Sequence, residues 1–173
     1  INGHVSHWWQ QVGAPSPRPA LPGDLQVDVA IVGAGYTGLW TAYYLKQAQP
    51  DLRVTVIEQR HAGYGASGRN GGWLTNAITG GREQYVKTHG RDAAERMQRE
   101  MNATVDEVIR VTQVEGIDAD IKKGGEFNVA YAPAQEKRIR EFAAAEQAWK
   151  YTDLELLEAA EATAKINVAG TRD

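Results

Sequence analysis

The chain has 173 residues, of which 42% are hydrophobic, and a formal net charge of −3. That length and composition fit one domain of ordinary size, while the charge and the absence of a long basic run exclude an ordinary nucleic-acid-binding surface. No apolar stretch approaches the length of a membrane span, and with no cysteine in the chain, disulfides and thiol catalysis are excluded within it. No signal-peptide pattern opens the sequence, so the cytoplasm is the expected compartment.

Residues 1–26 carry His7-Trp8-Trp9 and then Pro15, Pro17, Pro19 and Pro22. Prolines at that density predict an extended N-terminal arm. The two tryptophans are expected to anchor the arm on the domain surface.

Residues 27–58 read VDVAIVGAGYTGLWTAYYLKQAQPDLRVTVIE. The β-type run Val27–Val32 leads into Gly33-Ala34-Gly35-Tyr36-Thr37-Gly38. A helical pattern follows, ended by Pro50. A second β-type run, Val54–Ile57, finishes at Glu58. Together these predict a βαβ unit with a G-x-G-x-x-G turn, which is a dinucleotide-binding arrangement. Each residue type has a reason. Gly33 permits the tight turn, and Gly35 lets a pyrophosphate approach the backbone. Gly38 lets the helix pack on the strand. The N–H groups at the helix start then face the phosphates. Glu58 stands twenty residues past Gly38, where its carboxylate suits ribose hydroxyls.

The next stretch is Gln59-Arg60-His61-Ala62-Gly63-Tyr64-Gly65-Ala66-Ser67-Gly68-Arg69-Asn70-Gly71-Gly72. So much glycine predicts a loop. Its backbone donors, the fixed cation of Arg69 among the glycines and its low bulk suit a long polyanionic cofactor. The competing reading is a flexible surface loop.

Beyond it, Glu83–Thr88 is expected to be helical. A longer helix starts near Asp92, where Asp92 and Glu95 fit a capping box. Met97, Met101, Val105, Val108 and Thr112 recur at helical spacing and read as its core face. Gly116 ends it. Ile117–Ile121 and Glu126–Tyr131 read as short strands around Gly124-Gly125. Ala134–Lys150 reads as a charged helix, and Thr152 with Glu155 as the cap of a further short one. Lys122-Lys123 and the Lys137, Arg138, Arg140 cluster read as solvated faces. His4, His7, His61 and His89 lack metal-ligand spacing, and no metal site is expected.

Two of these motifs together, DVAIVGAGYTGLWTAYYL with its following Glu58, and GYGASGRNGG, resemble the FAD-dependent amine oxidoreductases of the D-amino-acid-oxidase superfamily. The likeness is to glycine or sarcosine oxidase-type and γ-glutamylputrescine oxidase-type members. It is strong over residues 24–73 and weaker to the end of the chain. The resemblance implies an α/β fold: a Rossmann-like FAD-binding βαβ domain of the glutathione-reductase type, followed by the beginning of an α+β substrate domain. It implies FAD contacts from Gly33, Gly35, Tyr36, Thr37, Gly38, Glu58, Arg60, Ala66, Ser67, Arg69, Asn70, Gly71 and Gly72. It also implies an arm over 1–26, the N-terminal part of the FAD-binding domain over 27–116 and the start of a substrate domain over 117–173. One departure is visible. The family usually closes the first helix with glycine, and here Gln49-Pro50-Asp51 stands in that place.

Only two parallel strands are evident, whereas apolar parallel strands are normally flanked by others and covered on both faces. The expectation is therefore an incomplete fold, with the later strands supplied by a missing C-terminal half or by a partner chain, and with this chain alone inactive. The expected function is oxidation of the C–N bond of a small-molecule amine or amino acid to an imine, with flavin reoxidised by oxygen. A nicotinamide-dependent dehydrogenase is the first alternative, although it leaves Gly65–Gly72 without a purpose. A non-catalytic cofactor-binding fragment or subunit is the second. No residue here qualifies as a catalytic base, because the resemblance puts the substrate-facing groups largely outside this stretch.

Overall fold

Two β-branched runs, Val29–Val32 and Val54–Ile57, form the parallel strands β1 and β2 of the computed structural model, which describes residues 6–13 and 15–168. They pair in register, with Val29 opposite Val54 and Val32 opposite Ile57. Between them runs helix α2, Tyr36–Ala48. Ahead of β1 stands a short helix α1, His7–Val12. The chain divides into two compact units at Trp73 and Leu74. The boundary expected at residue 116 is one of family architecture, a different quantity from this division by contacts.

The first unit is the βαβ turn with its loop. β1 begins two residues later than the sequence suggests, because Asp28 is held by Arg53. The Arg53 guanidinium and backbone N–H both reach the Asp28 carboxylate, at 2.7–3.0 Å. That clamp fixes the start of β1 against the start of β2, which sets the register. α2 ends at Gln49, and Lys46 Nζ reaches forward to the carbonyls of Pro50 and Leu52. The Leu45 carbonyl accepts from Gln49 N, and the Lys46 bonds tie the chain that follows the helix back onto its last turn. α2 covers one face of the sheet. On the other face Val32 remains 86% exposed, and Leu21, Leu25, Val27, Ala30, Thr55 and Ile57 line a shallow groove.

The arm is not extended throughout. Residues 7–12 are helical, because Ser6 caps them: its Oγ accepts from Trp9 N at 3.4 Å. A hydroxyl at that position satisfies an otherwise unpaired amide. The proline-bearing residues 15–22 contain no helix or strand. His4 lies outside the described residues.

The second unit is helical: α3 (Glu83–His89), α4 (Arg91–Val114), α5 (Pro133–Glu146) and α6 (Ala159–Lys165). Gly90, at φ +79°, ends α3 and starts α4. The expected capping box at Asp92 and Glu95 does not form. Glu95 is instead buried and paired with Arg91 at 3.0 Å and Lys150 at 3.2 Å. Burial alone raises its pKa, and these two cations together bring it below the ordinary carboxylate range. α4 ends as expected at Gly116, whose φ of +65° permits a Schellman closure with Ile117 N donating to Thr112 O at 2.8 Å.

The inner face of α4 keeps Met101, Val105, Val108 and Thr112 of the expected stripe half-buried, but not Met97, and its fully buried residues are others. Ala94, Glu95, Gln98 and Val111 are its buried residues, while Met97 is 38% exposed. The interior it faces is partly polar. Gln98 Nε2 donates to Asn76 O at 3.1 Å and to Asn102 Oδ1 at 2.9 Å, and Asn76 Nδ2 reaches Asp153 at 2.8 Å. Arg82 and Arg91 lie over the Trp149 ring, at 4.7 and 4.2 Å.

Three further expectations are corrected here. Ile117–Ile121 and Glu126–Tyr131 are not strands, since no other segment among the described residues pairs with them and a strand exists only through its ladder. The helix expected to reach Lys150 stops at Glu146, where the chain turns to place Trp149. The last helix starts at Ala159, not after Thr152. Glu158 and Glu161 form its capping box, whereas Thr152 Oγ bonds Glu146 and Leu154 N. No described helix is long and apolar enough to cross a membrane.

Candidate cofactor site

The site is built at the C-terminal ends of β1 and β2. Gly33 leaves β1 at φ +97°, a conformation that side chains resist, and its N–H donates to Ile57 O at 2.7 Å. Gly38, one turn into α2, is pressed onto that same residue. A Cβ on Gly38 would lie 2.0 Å from Gly33 O and 3.2 Å from Ile31 Cγ2. This glycine is required by packing alone. Gly35 differs. Its φ of −86° is open to any residue, and an added Cβ would meet only the Ser67 hydroxyl, at 3.0 Å. The space beside it is a cradle that a side chain would begin to fill.

Glu58 is half-buried at the end of β2. Its Oε2 accepts from Ala34 N at 2.9 Å and its Oε1 from Arg60 N at 3.0 Å. The Ala34 amide, and after it the Arg60 amide, hold the carboxyl below the ordinary carboxylate range. Glu58 is therefore an anion at neutral pH that fixes the turn. A carboxylate has about four acceptor positions, more than the backbone amides of this turn use, so capacity is left for a hydroxyl.

The glycine-rich loop folds back onto the turn. Gly63 N donates to Ala34 O at 2.9 Å, and Tyr36 N donates to Ser67 Oγ at 3.0 Å. Ala66–Gly68 make a single 3₁₀ turn. Gly68 crosses Gly63 so closely that a Cβ would sit 2.1 Å from Gly63 O. Asn70 ties the far end: its Oδ1 accepts from Gly72 N at 2.8 Å, and its Nδ2 reaches Ser67 O at 2.8 Å and the Tyr36 hydroxyl at 3.3 Å. Arg69 Nε donates to Tyr64 O at 2.8 Å, with the guanidinium 4.7 Å from the Tyr64 ring centre. The Arg60 guanidinium lies 5.9 Å from that centre. Gly71 is exposed and open.

The expected site residues thus converge, with the five positions from Gly33 to Gly38 joined to Glu58 and Arg60 on one side and to Ala66, Ser67, Arg69, Asn70, Gly71 and Gly72 on the other. The donor set suits a dinucleotide. Among the described residues the amides of Thr37 and Gly38 meet no acceptor in the protein, and they stand at the positive end of α2. The carboxylate at Glu58, the cradle at Gly35 and an arginine on the loop complete it.

Sequence reasoning passed over Ala34 and Gly63, which lock loop to turn, and Tyr64, which holds Arg69 within the loop. It also left open where the tryptophans settle. They settle on the loop itself: Trp8 Nε1 donates to Asn70 O at 2.8 Å, and Trp9 packs against Gly63 and Gly68. His61 lies between Trp9 and Tyr64 as an edge-on ring, and among the described residues no three His, Asp or Glu side chains converge as metal ligands.

A family model described as FAD dependent oxidoreductase matches residues 28–171. The chain is 40% identical over 114 residues to the γ-glutamylputrescine oxidoreductase of Escherichia coli, a match covering 65% of this chain and 26% of that protein. It is 35% identical over 106 residues to the oxidoreductase OrdL of Haemophilus influenzae, covering 61% of this chain and 24% of that protein. A shorter match, 49% over 47 residues, is to thiamine thiazole synthase of Emericella nidulans, covering 27% of this chain and 13% of that one. The chain therefore spans about a quarter of the length of the first two relatives. No solved structure matches it. The chain belongs to the FAD-dependent oxidoreductase family, and FAD is that family's cofactor.

Proposed function

We propose that this FAD-dependent oxidoreductase oxidises the C–N bond of a small amine or amino acid, and that the turn and loop of its first unit hold the cofactor. The observation that carries the second part is the joining of the two cofactor motifs by Gly63–Ala34 and Tyr36–Ser67. A nicotinamide enzyme needs only the first motif. The named amine oxidoreductase among the relatives supports the substrate class.

On this reading each group has a task. The amides at the start of α2 receive the pyrophosphate, and Gly35 keeps its approach open. Glu58 holds the Ala34 turn and accepts from the adenosine ribose. Arg69 and the amides of Ser67–Gly72 line the pyrophosphate and flavin side, and Asn70 fixes their spacing. Bound FAD would supply the redox chemistry, taking up two electrons and a proton as hydride from the carbon beside the amine nitrogen while the nitrogen gives its proton to solvent or a base, so that an imine is left, and passing the electrons on to oxygen. The remaining wall of the flavin and the substrate-facing groups are proposed to come from residues outside these 173, in a partition of arm (1–26), FAD-binding domain (27–116) and substrate domain (117–173).

The test is spectroscopic first. The whole protein, with the residues proposed to lie outside these 173, should carry a flavin absorption band released as FAD on denaturation. Anaerobic addition of a small amine or amino acid should bleach it, and air should restore it with hydrogen peroxide formed. A protein that retains a nicotinamide dinucleotide and no flavin overturns the reading.

A further inference from the structure

The N-terminal helix touches the cofactor loop at each of its fixed points. Ser6 Oγ donates to Gly68 O. Trp9 lies over the Gly63–Gly68 crossing, where a Cβ on either glycine would come within 3.1 Å of its indole. Trp8 covers Gly72, within 3.0 Å of a Cβ there, and its Nε1 donates to Asn70 O at 2.8 Å. Asn70 in turn reaches Ser67 O, Gly72 N and the Tyr36 hydroxyl on α2. A chain of contacts therefore runs from Trp8 through Asn70 to the start of α2.

Neither partner is stable by itself. α1 has six residues, well below the length at which an isolated helix holds in water. The loop is rich in glycine, and ordering glycine backbone costs more conformational entropy than ordering any other residue. Each supplies the other's restraint. Two indoles cover the loop by area, and one of them adds a hydrogen bond.

We propose that α1 is a strap that pre-orders the Gly63–Gly72 loop for FAD, with Trp8 as a positioning residue that acts through the Asn70 carbonyl. The proposal rests on the reading of that loop as part of the FAD site. A loop already held in its binding conformation does not have to be ordered when the cofactor arrives, so the strap raises affinity without touching the ligand. The two tryptophans differ in how they contribute. Trp8 needs its indole N–H. Trp9 Nε1 is buried with no hydrogen-bond partner, so Trp9 serves by the bulk of its ring.

That difference sets the experiment. The whole protein is prepared as wild type, Trp8→Phe, Trp9→Phe and Trp9→Ala. Amide exchange is measured without FAD, and affinity is measured for FAD and for AMP, which engages only the Gly33–Glu58 side. Trp8→Phe and Trp9→Ala should speed exchange over residues 63–72 and leave residues 39–48 unchanged. Both should weaken FAD binding about tenfold with AMP affinity preserved, and Trp9→Phe, which keeps a ring but loses the Cζ2 and Nε1 atoms at the glycine crossing, should fall between wild type and Trp9→Ala. Unchanged loop exchange in Trp8→Phe and Trp9→Ala overturns the strap, and so does a parallel loss of FAD and AMP binding, which is general destabilisation. A wild type that binds no FAD overturns the cofactor reading instead, and loop exchange then decides the strap alone.

Discussion

Glu58 accepts the Ala34 amide at 2.9 Å, so the acid that suits a ribose also holds the dinucleotide turn in shape. Its carboxyl is kept below the ordinary range by the Ala34 amide first and the Arg60 amide second. A depressed carboxyl contributes stability that is complete above the unfolded value and is lost as pH falls through the folded one.

Replacing Glu58 by Gln should therefore act in two ways. The amide side chain offers one oxygen where two backbone N–H groups point, and its NH₂ faces the other donor. The expected cost is about 1.5 kcal/mol at neutral pH, that of a charge-assisted hydrogen bond. Thermal melts of both proteins against pH provide the check. The gap between them should be constant at neutral pH and close on acidification below the ordinary carboxylate range. A gap that persists unchanged in acid would mean that the charge is not what holds the turn.

The two glycines at the start of α2 separate packing from binding. Gly38→Ala places a methyl 2.0 Å from Gly33 O, which rigid backbone cannot relieve. It should cost about 3 kcal/mol through displacement of α2 and lower the melting temperature of FAD-free protein. Gly35→Val sets its Cβ against the Ser67 side chain alone, 3.0 Å from the hydroxyl, at a φ open to any residue. It should leave FAD-free stability near wild type and abolish FAD retention. Melting curves and flavin content of the two variants distinguish these outcomes, and normal flavin content in Gly35→Val would remove the turn from the cofactor site.

This contrast also shows how legible the chain is. The βαβ unit can be read residue by residue, because each of its determinants is local: β-branched runs, a positive-φ glycine, Pro50 after the helix. The convergence of the loop on the turn is legible only in outline. Ser67 bonds Tyr36, and Gly63 bonds Ala34, at separations of 31 and 29 residues, and no periodicity encodes such pairs. The second unit reads less well. Helical spacing marked Met97 as core, yet α4 turns Glu95 and Gln98 inward, because partners as distant as Lys150 and Asn76 satisfy them. The segments 117–121 and 126–131 have strand composition without a partner, and composition alone forms no ladder. The helix at residues 7–12 was hidden because its support is the loop some sixty residues on.

The Asp28–Arg53 clamp gives a pH-dependent prediction at the opposite end of the sheet. The Arg53 side chain, and then its backbone N–H, lower the Asp28 pKa to about 2. The clamp is intact above the unfolded value near 4 and is lost as pH falls through about 2. Asp28→Asn should melt below wild type at pH 6, and the gap should narrow as pH falls toward and past about 2. Both partners are exposed, so the effect should shrink in high salt. Equal melting of the two proteins at pH 6 and low salt would show that the clamp sets register without adding stability.

Arg69 offers the sharpest division between shape and charge. Its Nε and its ring contact are committed to Tyr64, which leaves the outer nitrogens of the guanidinium for an anion. A fork used in this way has a fixed direction, unlike a lysine ammonium. Arg69→Ala loses both roles and should weaken FAD binding about tenfold. Arg69→Lys keeps the charge but cannot bond Tyr64 O in the same plane, so it should recover part of the loss. Salt separates the two contributions. Wild-type affinity should fall with ionic strength more steeply than that of Arg69→Ala, with Arg69→Lys close to wild type in slope and weaker in absolute affinity. If Arg69→Ala binds FAD as wild type does at low salt, Arg69 belongs to the loop's packing alone, and the phosphates are met by the α2 amides without it.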